Sequence, residues 1–156
     1  MLEVALPDGR TYAFHTAVFD YNGTLAVDGL LPAAVKDGLI ALAGRLRVAV
    51  ITADTFGIAR DQLRGLPVEL VILAAGEGAA AKAAFVEAAG AGGVVAVGNG
   101  VNDKEMFAAA ALSVCILSTE GASVPTILAA DIVVPGPEAA IGLLLNPTRL
   151  EATLRR

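Results

Sequence analysis

The feature that most constrains this 156-residue chain is a succession of short, largely apolar runs, each followed by a polar turn and a helix-like segment. The runs are Ala17-Val18-Phe19, Val48-Ala49-Val50-Ile51, Val68 to Leu73, Val94 to Val97, Leu112 to Leu117 and Ile132 to Val134. They are too short for helices and lack the alternation of a half-exposed strand, so they read as strands of a parallel sheet covered on both faces. Between them the spacing predicts helices. The first runs from Leu31, with Pro32 in its first turn, Val35, Leu39 and Leu42 on one face, and Gly44 at its end. Others are predicted at Phe56 to Leu63, Ala79 to Ala88, Lys104 to Ala110, Val124 to Leu128 and Glu138 to Leu145. Leu2 to Leu6 and Thr11 to Phe14 flank Pro7-Asp8-Gly9 and predict an N-terminal β-hairpin. Pro147 to Arg156 reads as a closing amphipathic turn or short helix. No linker or repeat breaks the order, so residues 1–156 are expected to form one doubly wound α/β domain.

Composition narrows the function classes. The chain is 56% hydrophobic but only 4% aromatic, enough small aliphatic material for a core that needs neither cofactor nor disulfide. Its one cysteine, Cys115, lies inside an apolar run and reads as a core residue of a protein from a reducing compartment. A net charge of −5, with three lysines and no basic stripe, argues against nucleic acid as a partner. No apolar stretch approaches the ~18–20 residues of a membrane span. Met1-Leu2-Glu3-Val4 does not look like a signal peptide. The expectation is a soluble, cytoplasmic protein with no membrane partner.

In an open α/β sheet, ligands bind beyond the carboxyl ends of the strands, where the winding reverses. The polar residues that directly follow apolar runs are Asp20 and Asn22, Thr52 and Asp54, and Asn99 to Asp103. Phe19-Asp20-Tyr21-Asn22-Gly23-Thr24-Leu25 resembles the first signature of the haloacid-dehalogenase-like superfamily, Asp-x-Asp-Gly-Thr after a buried strand. Ile51-Thr52 resembles the second, Lys82 lies on a helix before the strand position of the third, and Val97-Gly98-Asn99-Gly100-Val101-Asn102-Asp103 resembles the fourth, usually Gly-Asp-Gly-x-Asn-Asp. The similarity covers almost the whole chain and comes nearest to small soluble proteins likened to the phosphorylation domain of P-type ATPases.

The resemblance implies a Mg²⁺-dependent phosphohydrolase acting on a phosphorylated substrate that the sequence does not name. Asp20 would accept the phosphoryl group as an aspartyl phosphate. Mg²⁺ would be held by Asp20, the carbonyl of Asn22, Asn99 and Asp103. Thr52 and Lys82 would bind the phosphoryl oxygens, and the backbone from Tyr21 to Gly23 would cradle them. Two departures stand out. Asn22 replaces the carboxylate that serves the family's phosphatases as general acid and base, and Asn99 replaces a metal-site carboxylate. Slow turnover or a lingering phosphoenzyme is therefore expected, and a catalytically degenerate phosphate- or Mg²⁺-binding module is the alternative. With only Leu25 to Leu31 between the first signature and the next helix, the domain is expected to be capless, with an open site that suits a large substrate or one closed over by another subunit of a homo-oligomer.

Simpler roles compete for the same residues. Thr52 and Asp54 suit helix capping, and capping is the better reading for Asp54. Lys82 on an Ala-rich helix could be a solvated lysine. Gly98-x-Gly100 lacks the third glycine of a dinucleotide fingerprint. His15 has no metal-ligating partner and reads as structural, Phe56, Phe85 and Phe107 as core, and Lys104-Glu105 as a surface pair. A signalling receiver domain would need an acidic pair after its first strand and the acceptor after a later one, which this order does not offer.

Overall fold

A computed structural model of the chain describes residues 1–54, 57–74 and 76–155. The predicted alternation is present throughout. β1 (Leu2–Ala5) and β2 (Thr11–Phe14) form the antiparallel hairpin. β3 (Thr16–Asp20), α1 (Ala33–Ala43), β4 (Arg47–Thr52), α2 (Ile58–Gln62), β5 (Glu69–Ile72) and α3 (Gly78–Ala88) make the first half of the winding. β6 (Val94–Gly98), α4 (Lys104–Ala109), β7 (Leu112–Ile116), α5 (Val124–Ala129), β8 (Ile132–Val134), α6 (Pro137–Leu145) and α7 (Pro147–Leu154) make the second. The start of the second predicted helix, with Phe56, lies outside the described residues, as does Arg156.

The six-stranded sheet runs β5-β4-β3-β6-β7-β8, all parallel. The winding leaves β3 in one direction and returns past it to β6, so the reversal lies between these two strands. Both are buried along their whole length, as are β4 beyond Arg47 and all of β7. Two apolar layers explain why these runs show no alternation. Ala17, Phe19, Val95 and Val97 face a layer completed by α1, α6 and the hairpin. Val18, Ala49, Ala96 and Cys115 face the other, with Val86 of α3 and Met106 and Phe107 of α4. β3, β4, β6 and β7 therefore contribute apolar side chains in both directions, at roughly 25 cal/mol per Å² of surface withdrawn from water, whereas the edge strands β5 and β8 are not covered on both faces, and Ile72 and Val133 are exposed.

α1 behaves as its spacing predicts, with Val35, Leu39 and Leu42 buried and Gly44 at its C-cap. Phe107 is core, whereas Phe85 is only half-buried and lies under the Arg47 guanidinium, 5.5 Å from ring centroid to Cζ. His15 is structural: Nδ1 pairs with the Thr16 hydroxyl at 2.9 Å, and the ring fills the space in which a Cβ on Gly93 would stand. Lys104 and Glu105 are exposed. Among the described residues, no helix is long and apolar enough to cross a membrane.

Candidate active site

Three charged side chains from three separate units meet at the reversal. Asp20 ends β3, Lys82 projects from α3, and Asp103 closes the turn after β6. Lys82 Nζ lies 2.7 Å from Asp20 Oδ1 and 2.7 Å from Asp103 Oδ1. At 2% exposure Lys82 is not a solvated lysine; a buried ammonium persists because these carboxylates offset its lost hydration. Asp103 is wholly buried, and its second oxygen accepts the backbone N–H groups of Asn99 and Gly100, both at 2.9 Å.

One cation between two carboxylates leaves the cluster with net negative charge, and the protonation behaviour follows. Burial, reinforced by the charge of Asp103, pushes the Asp20 carboxyl up to about 6, while Lys82 and the Tyr21 backbone N–H oppose the rise. For Lys82, burial alone would lower the pKa, but the two carboxylates outweigh it and the ammonium is held above its ordinary range.

Asp20 and Lys82 open onto a cleft of about 310 Å³, whose walls include Asn22, Thr52, Asp54, Asn99 and Asn102, with Gly78 at the start of α3. An eleven-residue helix opening on the cleft adds favourable potential for an anion. The Thr24 hydroxyl stands 3.3 Å from Asp20 Oδ2 and 3.1 Å from Asn99 Oδ1, so its one proton is shared between the two acceptors and ties the loop after β3 to the loop after β6. The Tyr21 carbonyl closes the loop after β3 by accepting N–H groups of Thr24, Leu25 and Ala26. Gly23 follows with φ +72°, where a Cβ would strike the Asn99 amide.

Nearly every site residue expected from the sequence is thus brought to one place, in differing roles. Asp20, Asn22, Thr52, Lys82 and Asn99 face the cleft. Asp103 sits behind Lys82 and is not part of the cleft wall. Gly23 spends its N–H on the Ala26 carbonyl, and the Tyr21 hydroxyl donates to the Gly29 carbonyl at 2.9 Å. Among the described residues, the hydrogen bonds that close this turn use neither peptide group of Asn22. Asp54 does cap: its carboxylate accepts the N–H groups of Ala59 at 2.8 Å and Arg60 at 3.3 Å, while its own N–H donates to the Thr52 hydroxyl. Sequence reasoning missed a role for Thr24, although it stands inside the quoted signature.

The close approach of β6 to Asp103 gives a stability test. A Cβ on Gly98 would collide with the Asp103 carboxylate, and three hydrogen bonds hold Asp103 in place. Gly98→Ala is expected to lower stability by about 1–3 kcal/mol, read from the urea midpoint at unchanged slope. A midpoint equal to that of the unsubstituted protein would mean that Asp103 yields freely.

The fold that carries this cluster is shared by known structures of the haloacid-dehalogenase-like fold. Over 90% of this chain and 92% of the other, it superposes on the cobalt-bound deoxy-D-mannose-octulosonate 8-phosphate phosphatase of Haemophilus influenzae, with a TM-score of 0.73 at 19% identity. The corresponding phosphatase of Moraxella catarrhalis, solved with magnesium ion, phosphate ion and a KDO molecule, gives a TM-score of 0.73 at 14% identity, covering 89% of this chain and 90% of the other. A HAD family hydrolase of Streptomyces avermitilis gives 0.68 at 24% identity over 92% of this chain and 88% of its own. No protein-family model matches the sequence. An uncharacterized protein of Methanocaldococcus jannaschii is 47% identical over 62 residues, 40% of this chain and 67% of the archaeal one. The chain belongs to the family of that archaeal protein, and its fold is that of the haloacid-dehalogenase-like hydrolases.

Proposed function

We propose that the chain is a phosphohydrolase that works through an aspartyl phosphate on Asp20. The observation that carries this reading is the placing of a cleft-facing aspartate at the sheet reversal, tied to a buried lysine 2.7 Å away. A phosphate monoester enters with its phosphoryl group against Asp20, Thr52 and Lys82. A carboxylate oxygen of Asp20 attacks phosphorus, the bond to the leaving oxygen breaks, and the acyl phosphate remains until water displaces it and regenerates the carboxylate. Lys82 and the start of α3 offset charge on the equatorial oxygens, and Thr52 donates a hydrogen bond. Asp103 acts through Lys82, holding the ammonium against Asp20.

Mg²⁺ would find oxygen donors in Asp20, the side chain of Asn99 and the carbonyl of Asn22, which would hold it, and it would neutralise phosphate charge. Asn22 stands where a leaving oxygen must depart but has no acidic proton to supply. Asn22→Asp is therefore expected to raise turnover, by as much as ~10²-fold or more. Unchanged or lower turnover in that variant would show that proton transfer at this position does not limit the rate.

Attack needs the ionised carboxylate, so kcat/KM should decline as pH falls through about 6. Stability has the opposite sign. A carboxyl whose folded pKa is raised binds its proton more tightly in the native state, so ionising Asp20 costs stability as pH rises from the ordinary carboxylate range to above about 6. A flat kcat/KM profile between pH 5 and 8 would contradict the assignment of Asp20 as nucleophile.

The deciding experiment mixes the protein with Mg²⁺ and an activated phosphate ester and follows product from the first turnover. Sustained release that requires Asp20 supports a phosphatase. A burst of about one product per site, leaving a hydroxylamine-sensitive label, supports a phosphoenzyme that lingers because Asn22 cannot activate water. The absence of both would favour a phosphate-binding module, the reading to which the two amides at positions 22 and 99 point.

A further inference from the structure

Asn99 does more than line the cleft. Its Nδ2 donates to the Gly121 carbonyl at 3.1 Å, its Oδ1 accepts from the Thr24 hydroxyl, and its backbone carbonyl accepts the Ser123 N–H at 2.9 Å. The turn from Ser118 to Gly121 is thereby moored to the loop after β6. The neighbouring Glu120 reaches the other way: its Oε1 accepts the N–H of Asp28 at 2.7 Å, and Asp28 sits at φ +51°, a conformation unusual for a residue other than glycine. A chain of hydrogen bonds therefore runs from residue 99 through residues 120–121 to the loop beside Asn22. It bounds a hollow lined by Asn22, Asp28, Gly29, Ile58 and Glu120, next to the phosphate cleft and sharing Asn22 with it.

The amide cannot be turned round, because its oxygen would then face the Gly121 carbonyl with no hydrogen between them. A carboxylate, usual at this position of the resembling signature, meets the same obstacle and adds a charge.

We propose that Asn99 is a positioning residue: its side-chain amide fixes the 118–121 turn and, through Glu120, the 28–30 loop that borders the leaving-group side of the cleft. The departure from the family pattern then exchanges a charge for a mechanical tie across the mouth of the site. Only the kinetic arm of the test rests on the phosphohydrolase reading.

Backbone hydrogen exchange would be measured residue by residue on the full chain, without ligand, for the unsubstituted protein, Asn99→Asp, Asn99→Ala, Glu120→Ala and Glu120→Gln. Both Asn99 variants are expected to speed exchange of the Asp28 N–H by about tenfold, although residue 99 does not touch Asp28. Glu120→Ala should do the same, and Glu120→Gln, which keeps an acceptor oxygen, should not. An Asp28 N–H unprotected in the unsubstituted protein, or exchanging within twofold of it in Glu120→Ala or in a folded Asn99 variant, would overturn the proposal. In turnover, Glu120→Ala should raise KM several-fold with kcat within twofold, and Glu120→Gln should restore KM. An equal fall in kcat at constant KM would overturn the role at the mouth. Absence of turnover in every protein, including the unsubstituted one, would instead count against the phosphohydrolase reading, and the exchange data would still decide the role of Asn99.

Discussion

Asp20→Asn should lower phosphoryl transfer by at least ~10³-fold and yet leave the protein no less stable. Loss of the nucleophilic oxygen removes both the burst and any hydroxylamine-sensitive label. The stability half follows from the charge count. In the unsubstituted protein one ammonium serves two carboxylates, and burial with the charge of Asp103 already disfavours ionised Asp20. An amide at position 20 leaves Lys82 and Asp103 as a matched pair and can still accept a hydrogen bond. Single-turnover kinetics beside a thermal melt test both halves. Turnover within tenfold of the unsubstituted protein would remove Asp20 as nucleophile. A clearly lower melting point would show that the net attraction to Lys82 outweighs the burial cost.

Lys82→Ala should produce the largest fall in stability of any single change at the site, about 3–5 kcal/mol, because it strands two carboxylates in a low-dielectric interior. Lys82→Met keeps the aliphatic stem and separates lost packing from lost charge, and most of the fall should persist in it. The penalty should shrink toward pH 5, where Asp20 takes up a proton. Urea unfolding at pH 8 and pH 5 measures both effects. A cost under about 1 kcal/mol in Lys82→Met at pH 8 would mean that water reaches the cluster and screens it.

Much of this arrangement was legible in the chain itself. Strands buried on both faces are apolar almost throughout, so Val94 to Val97 and, with Ser113 its one polar residue, Leu112 to Leu117 announce themselves, and the residues that follow such strands are where these sheets bind ligands. Asp20, Asn22, Thr52 and Asn99, which that rule joined to the signatures singles out, line one cleft. What was not legible depends on side-chain direction across long sequence separations. The pairing of Asp103 with Lys82 is one such feature: one carboxylate oxygen meets the ammonium while the other accepts the N–H groups of Asn99 and Gly100. Glu120 carries no local signal: it is an exposed turn residue whose partner lies 92 positions away. Phe85 reads as core from its type, but only contact with Arg47 shows how far it is covered.

Lys82 is separated from Asp20 by 62 residues and from Asp103 by 21, and each of the three belongs to a different β-α unit. No fragment of the winding can assemble the cluster, since α3 must dock over β3 and β6 before its ammonium meets either partner. That docking step strips water from three charges at once, which makes it a barrier rather than an aid to early collapse. The chemistry at Asp20 should therefore appear late and all at once during folding, so that recovery of activity on refolding reports the last event along the pathway and not the first.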